Sequence, residues 1–261
     1  MRNIKVLAII NFIAFTATVI VNQLAIALPI NGKTTGELSD MYPNLFVPAG
    51  ITFSIWGVIY LLMLAYIVYQ LVVAFKSSAD KLFIQKIGVW FIISSIANCS
   101  WILAWHYVFT ELSLLIMLIL LFSLIKIYLK LYQIRSGFSK ATKWIVFPGF
   151  SIYLAWITVA TIANTTAVLV NWGWDGGSLG ASFWTIAMMS VAIGMGIYFA
   201  IFRLNPAYTM VIIWALFGIY LKRTSNADLE NGIILLSQIG MVVCALGLIY
   251  PFIRKYFKSS Q

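Results

Sequence analysis

From Ala49 to Phe75 the chain carries no charged residue. As a helix rising about 1.5 Å per residue, this run is roughly 40 Å long, enough to cross a bilayer with tilt. In lipid every backbone N–H and C=O must be paired within the protein, so a chain built from such runs has helices as its solution. The aromatic and hydroxyl residues Thr52, Phe53, Ser54, Trp56 and Tyr60 crowd into its first half. The segment reads as a membrane helix with its chemistry at one end.

The rest of the chain repeats that object. Hydrophobic residues make up 62% and charged residues 9%, against about 25% charged in soluble domains. Eight candidate spans lie near 6–30, 49–75, 84–107, 111–132, 145–170, 180–202, 208–221 and 231–253. The expected fold is therefore all-α: a polytopic integral membrane helical bundle with about eight transmembrane helices. The first run lacks a small-residue cleavage motif and is followed by further apolar spans, so it reads as a membrane helix and not a cleavable signal. The longest connection, 31–48, contains the turn-forming pairs Asn31-Gly32 and Pro43-Asn44.

Charge placement sets the expected orientation. With the N-terminus inside, fourteen of the seventeen lysines and arginines face the cytoplasm and only Lys33, Lys222 and Arg223 fall outside, as the positive-inside rule asks. Both termini are then cytoplasmic, and a bacterial inner membrane is the expected location. Span seven is short and ends in Lys222-Arg223, so a re-entrant element is the alternative there. The net charge of +10 reads as basic loops facing an anionic leaflet, not as a nucleic-acid site.

With that orientation, depth can be read residue by residue. Asn22 and Gln23 of the first span, Thr52, Trp56 and Tyr60 of the second, and Asn98, Trp101, Trp105 and His106 of the third lie in the outer half. Trp156 lies near the middle of the fifth, with Thr161, Asn164, Thr165 and Thr166 above it. Asn98, Trp101 and Trp105 recur at helical spacing, as do Tyr153, Trp156 and Ala160 with Asn164 beyond, so each set forms one stripe. Amides in hydrocarbon need partners and face the bundle or a cavity. A pocket of aromatic faces with a few amide and indole donors suits a large planar ligand with polar edges. The competing reading makes Asn98 and Asn164 interhelical packing bonds and Trp105, Trp172 and Trp174 interface anchors.

Other features carry less. His106, the single histidine, reads as structural, with an axial-ligand role as the alternative. No intramembrane carboxylate, metal cluster or nucleophile elbow points to an enzyme, and no catalytic residue, metal or cofactor is assigned. Cys99 and Cys244 sit in apolar runs. Leu124–Tyr128–Lys130 and Leu216–Tyr220–Lys222 fit the loose sterol-contact pattern, which arises by chance in such a composition. Ala192, Gly196 and Ala200, beside Gly194, form a small-residue stripe that reads as intrachain helix packing in preference to a dimer face.

Three segments resemble the TspO/MBR family, the tryptophan-rich sensory or translocator proteins. They are Pro48-Ala49-Gly50 with Phe53, Trp56 and Tyr60; Asn98-Cys99-Ser100-Trp101; and Tyr153-Leu154-Ala155-Trp156 with Ala160 and Asn164. Ala49 stands in place of a second proline, Ile152 in place of a proline, and Phe53 to Trp56 is one residue shorter than the family spacing. The resemblance covers about residues 1–172 and implies a five-helix TspO-like core, with 173–261 as about three additional transmembrane helices packed on it. It further implies a receptor or carrier that binds a porphyrin, haem or sterol-like molecule in an outer-leaflet pocket. Trp56, Tyr60, Asn98, Trp101, Trp105, Tyr153, Trp156 and Asn164 would line that pocket, and Pro29–Pro48 would be its lid. Family members are often dimeric; here monomer and homodimer both stay open. A small-solute secondary transporter and a structural or regulatory membrane partner are the alternative functions.

Overall fold

The computed structural model describes residues 3–28, 30–76, 81–225 and 230–259, with side chains through Pro251. Arg2 and Pro29, and the side chains of Arg254, Lys255 and Lys258, which entered the orientation and lid arguments, lie outside the described residues. Among those described the protein is helical and strand-free. Six helices are long and apolar enough to cross a membrane: Ile4–Ala27, Gly50–Phe75, Thr110–Gly137, Thr142–Asn171, Gly177–Ile201 and Asn231–Pro251. Their outward faces carry large apolar side chains such as Ile13, Leu61, Leu115 and Val191. Water would not accept so continuous an apolar exterior; the protein is a multi-pass integral membrane bundle.

The other two expected spans are present as helices. The third is interrupted at Gly88, whose φ of +56° is a left-handed conformation that favours glycine. It divides into α4 (Leu82–Ile87) and α5 (Trp90–His106). The seventh is longer than the apolar run suggested, because Asn205 caps its start, Pro206 opens it and Lys222 and Arg223 lie inside its last turn; it spans Pro206–Thr224.

The chain divides into two compact units, Met1–Met41 with Ile55–Asn164, and Tyr42–Ser54 with Thr165–Gln261. In the first, α1 (Ile4–Ala27) packs against α3 (Ile55–Phe75) and α5, and α5 against α6 (Thr110–Ile134). The short α2 (Thr35–Asp40) lies on α5 and is closed by a capping box between Thr34 and Glu37. A π-helical turn, Thr142–Val146, leads into α7 (Phe147–Asn171), which belongs to this unit up to Asn164.

In the second unit α8 (Gly180–Ile201), α9 (Pro206–Thr224) and α10 (Asn231–Ser259) pack mutually. The small-residue stripe of α8 is covered inside this unit. A Cβ at Gly196 would sit 2.9 Å from Cys244 Sγ and 3.3 Å from Ile212 Cγ2, and one at Gly247 would sit 3.3 Å from Ala200 Cβ. The 42–54 segment is held on α9, where Ala49 N–H donates to Gly218 O at 2.9 Å and Trp214 Nε1–H to Thr52 O at 3.0 Å. Gly218 has no room for a side chain, since a Cβ there would overlap Thr52 Oγ1. In the loop before α8, Trp172 and Trp174 are exposed, and Trp184 Nε1–H donates to Gly176 O at 3.1 Å.

Candidate functional site

The eight residues singled out from the sequence all lie in the first unit, on α3, α5 and α7, and fall into two groups. The first is built around Trp56. Its indole stacks on Tyr60 one turn along α3, with centroids 5.6 Å apart and planes at 18°. Across the bundle it meets Tyr153 and Trp156 of α7 edge-on, at 6.0 and 6.3 Å. Trp56 thus has one ring stacked on it and two meeting it edge-on, both arrangements that ring quadrupoles favour.

Asn98 of α5 ties this group to α1. Its Nδ2 donates to Tyr153 OH at 3.1 Å, and its Oδ1 accepts from Asn22 Nδ2 at 2.6 Å. Asn22 in turn donates to Thr18 O at 2.9 Å, one turn back along its own helix. Asn98 has no exposed surface, so both halves of its amide are used where water cannot replace a lost partner. The Tyr60 hydroxyl lies beside the Asn98 amide. It is buried, and among the described residues it completes no well-formed hydrogen bond.

The second group joins α5, α6 and α7. Trp101 Nε1–H donates to Asn164 Oδ1 at 3.0 Å, and Asn164 Nδ2 donates to Ser113 Oγ at 3.0 Å. Ser113 Oγ–H donates to Thr110 O at 2.7 Å. Trp105 stacks on Trp101 at 6.0 Å and 16°, and its Nε1–H reaches Thr35 O at 3.4 Å. Asn31 Nδ2 donates to His106 O at 2.9 Å, so two bonds hold the 30–40 segment against the end of α5. His106 Nδ1–H donates to Ile102 O at 2.8 Å, within its own helix. No group of three or more His, Cys, Asp or Glu side chains is placed to hold a metal among the described residues.

Sequence reasoning missed two polar elements. Ser113, the acceptor for Asn164, was hidden among the leucines of α6. A separate cluster joins the N-terminal half of α1 to the C-terminal half of α3. There Asn11 Nδ2 donates to Gln70 Oε1 at 3.1 Å, and Tyr66 OH donates to the same oxygen at 2.9 Å. All three side chains are fully buried, and the Tyr66 ring is ringed edge-on by Phe83, Phe91 and Phe150. The spacing of Tyr66 and Gln70, one turn apart, was the available signal. The sterol-pattern residues Leu124 and Tyr128 point the other way from that pattern's premise: both are buried inside the bundle.

Fold and cluster together define a class, the multi-pass helical membrane proteins with an aromatic–amide core. Within that class the chain belongs to the TSPO-like protein family, as a divergent member: the family profile matches residues 8–250, running well past the 1–172 segment that carries the short motifs. The family is not one of enzymes. No curated protein and no solved structure matches the chain.

Proposed function

We propose that this protein is a membrane receptor or carrier for a hydrophobic planar ligand, porphyrin- or haem-like or sterol- or isoprenoid-like. The ligand is bound by Trp56, Tyr60, Asn98, Trp101, Trp105, Tyr153, Trp156 and Asn164. The observation that carries this reading is the meeting of three aromatic rings around Trp56, next to a buried Tyr60 hydroxyl that completes no good hydrogen bond. A flat apolar molecule gains from ring faces, and a polar atom on its edge gives that hydroxyl a better-formed bond than its neighbour Asn98 offers. The indole–amide pair Trp101–Asn164 and the stacked Trp105 extend the same surface toward the 30–40 segment.

The reading carries a topology with it. The chain crosses eight times with both termini in the cytoplasm of a bacterial inner membrane. Residues 1–172 form the five-helix ligand-binding part, and 173–261 contribute three further crossings. At 1.5 Å per residue α5 and α9 are roughly 26 and 28 Å long, sufficient for a thin or locally thinned bilayer. The ligand then sits in the outer leaflet beneath the first long connection.

Titrating purified protein with haem, protoporphyrin and a sterol, and following tryptophan fluorescence, tests it. Saturable quenching by at least one of the three is expected. Trp156→Phe and Trp101→Phe each weaken it about tenfold, or about 1.4 kcal/mol, and a cooperative thermal melt of each variant shows that it is folded. Linear, non-saturating quenching by every compound would remove the proposal.

A further inference from the structure

On the opposite face of α6 from its buried core, two lysines rest on a pair of aromatic rings. Trp90, the first residue of α5, meets Phe122 edge-on at 5.7 Å and 74°. Lys126 Nζ lies over the Phe122 ring at 4.9 Å, and Lys130 Nζ over the Trp90 ring at 5.7 Å. Phe122, Lys126 and Lys130 follow one another at four-residue spacing, so they share one stripe of the helix. No carboxylate pairs with either ammonium among the described residues. Glu111, the acid on the same helix, lies in its first turn and accepts from Thr110.

Two like charges one turn apart repel, and this repulsion is stronger near lipid than in water. A cation held over a ring face is also partly desolvated. Both features favour an anion between the two ammoniums. Lys126 lies two turns in from Ile134, the last residue of α6, a depth from which a lysine reaches headgroup level along its aliphatic stem. The same helix face exposes Phe122, Ile125 and Leu129, which gives an acyl chain a surface to lie on. A soluble anion would have no use for that surface.

We infer that Lys126 and Lys130, seated on the Phe122–Trp90 ring pair, form a binding site for the phosphate of an anionic phospholipid, whose acyl chain runs along α6. The site is separate from the aromatic–amide cluster and does not depend on the ligand proposed for it.

The experiment is native mass spectrometry of the purified full chain exchanged into an equimolar mixture of phosphatidylglycerol and phosphatidylcholine. Wild type retains phosphatidylglycerol in preference. K126Q/K130Q lowers that retention about fivefold or more, K126R/K130R keeps it, and K140Q/K143Q, which removes the same charge from exposed positions elsewhere, leaves it unchanged. Thermal melts of each variant in the same detergent establish that it is folded. The assignment is overturned if K126Q/K130Q retains phosphatidylglycerol as wild type does. It is equally overturned if the two glutamine pairs lower retention alike, which would mean diffuse attraction to charge, or if millimolar inorganic phosphate displaces the lipid.

Discussion

Asn98 takes part in two interhelical bonds at once, one to α1 through Asn22 and one to α7 through Tyr153. Replacing it by leucine keeps the volume and strands two buried polar groups, each costing on the order of 1–3 kcal/mol. Asn98→Leu is therefore expected to destabilise the protein by about 2 kcal/mol or more in detergent thermal unfolding. An unchanged melting temperature would show that the amide is dispensable. At this scale the tryptophans and asparagines of the two groups were legible because such residues are rare and conspicuous in apolar helices. Asn11 and Gln70 are equally polar, but the segments that carry them read as aliphatic and aromatic. Only their mutual hydrogen bond, across 59 residues of chain, distinguishes a paired amide from an isolated one.

Among the helices, α8 shows how neighbouring glycines differ in role. Gly194 faces open space, and Gly196 is pressed between Cys244 and Ile212. Gly194→Ala should be neutral or stabilising by about 0.5–1 kcal/mol. Gly196→Ala should cost about 1–3 kcal/mol through overpacking. Equal effects in chemical or thermal unfolding would contradict the packing described for this helix. The α2 cap has its own signature. Hydrogen bonds from Thr34, first its backbone N–H and then its hydroxyl, hold the Glu37 carboxyl below the usual carboxylate range, with nearby Lys33 adding a smaller pull. A depressed folded-state value means that the stabilisation is present above the unfolded carboxylate's range and is lost as pH falls through the lowered folded one. Hydrogen exchange at residues 35–40, corrected for intrinsic rates, should quicken in that acidic window for wild type. Glu37→Gln should abolish the pH dependence.

For the whole molecule, orientation is the property that most affects function, and it can be probed directly. With Cys99 and Cys244 replaced by alanine, Lys33→Cys in intact cells should react with a membrane-impermeant maleimide, and Lys140→Cys only after permeabilisation. The reverse pattern would place the aromatic–amide cluster in the inner leaflet and remove the outer-leaflet site.

Hydropathy, by itself, determined that this chain is a helical membrane protein, because unpaired backbone polar groups are too costly in lipid for other solutions. Short motifs around Trp56, Trp101 and Trp156 placed it in its family's neighbourhood. Tertiary structure alone decided which polar groups pair, since lipid supplies no hydrophobic drive between helices and contacts depend on close packing and interhelical bonds. Pro48 to Ser54 illustrates the point. Its residues immediately precede Trp56 in the chain, yet they are bonded to Trp214 and Gly218, more than 160 residues away. Nothing in the local pattern announces that closure, because it depends on a glycine surface on α9 that becomes complementary only when both segments are folded.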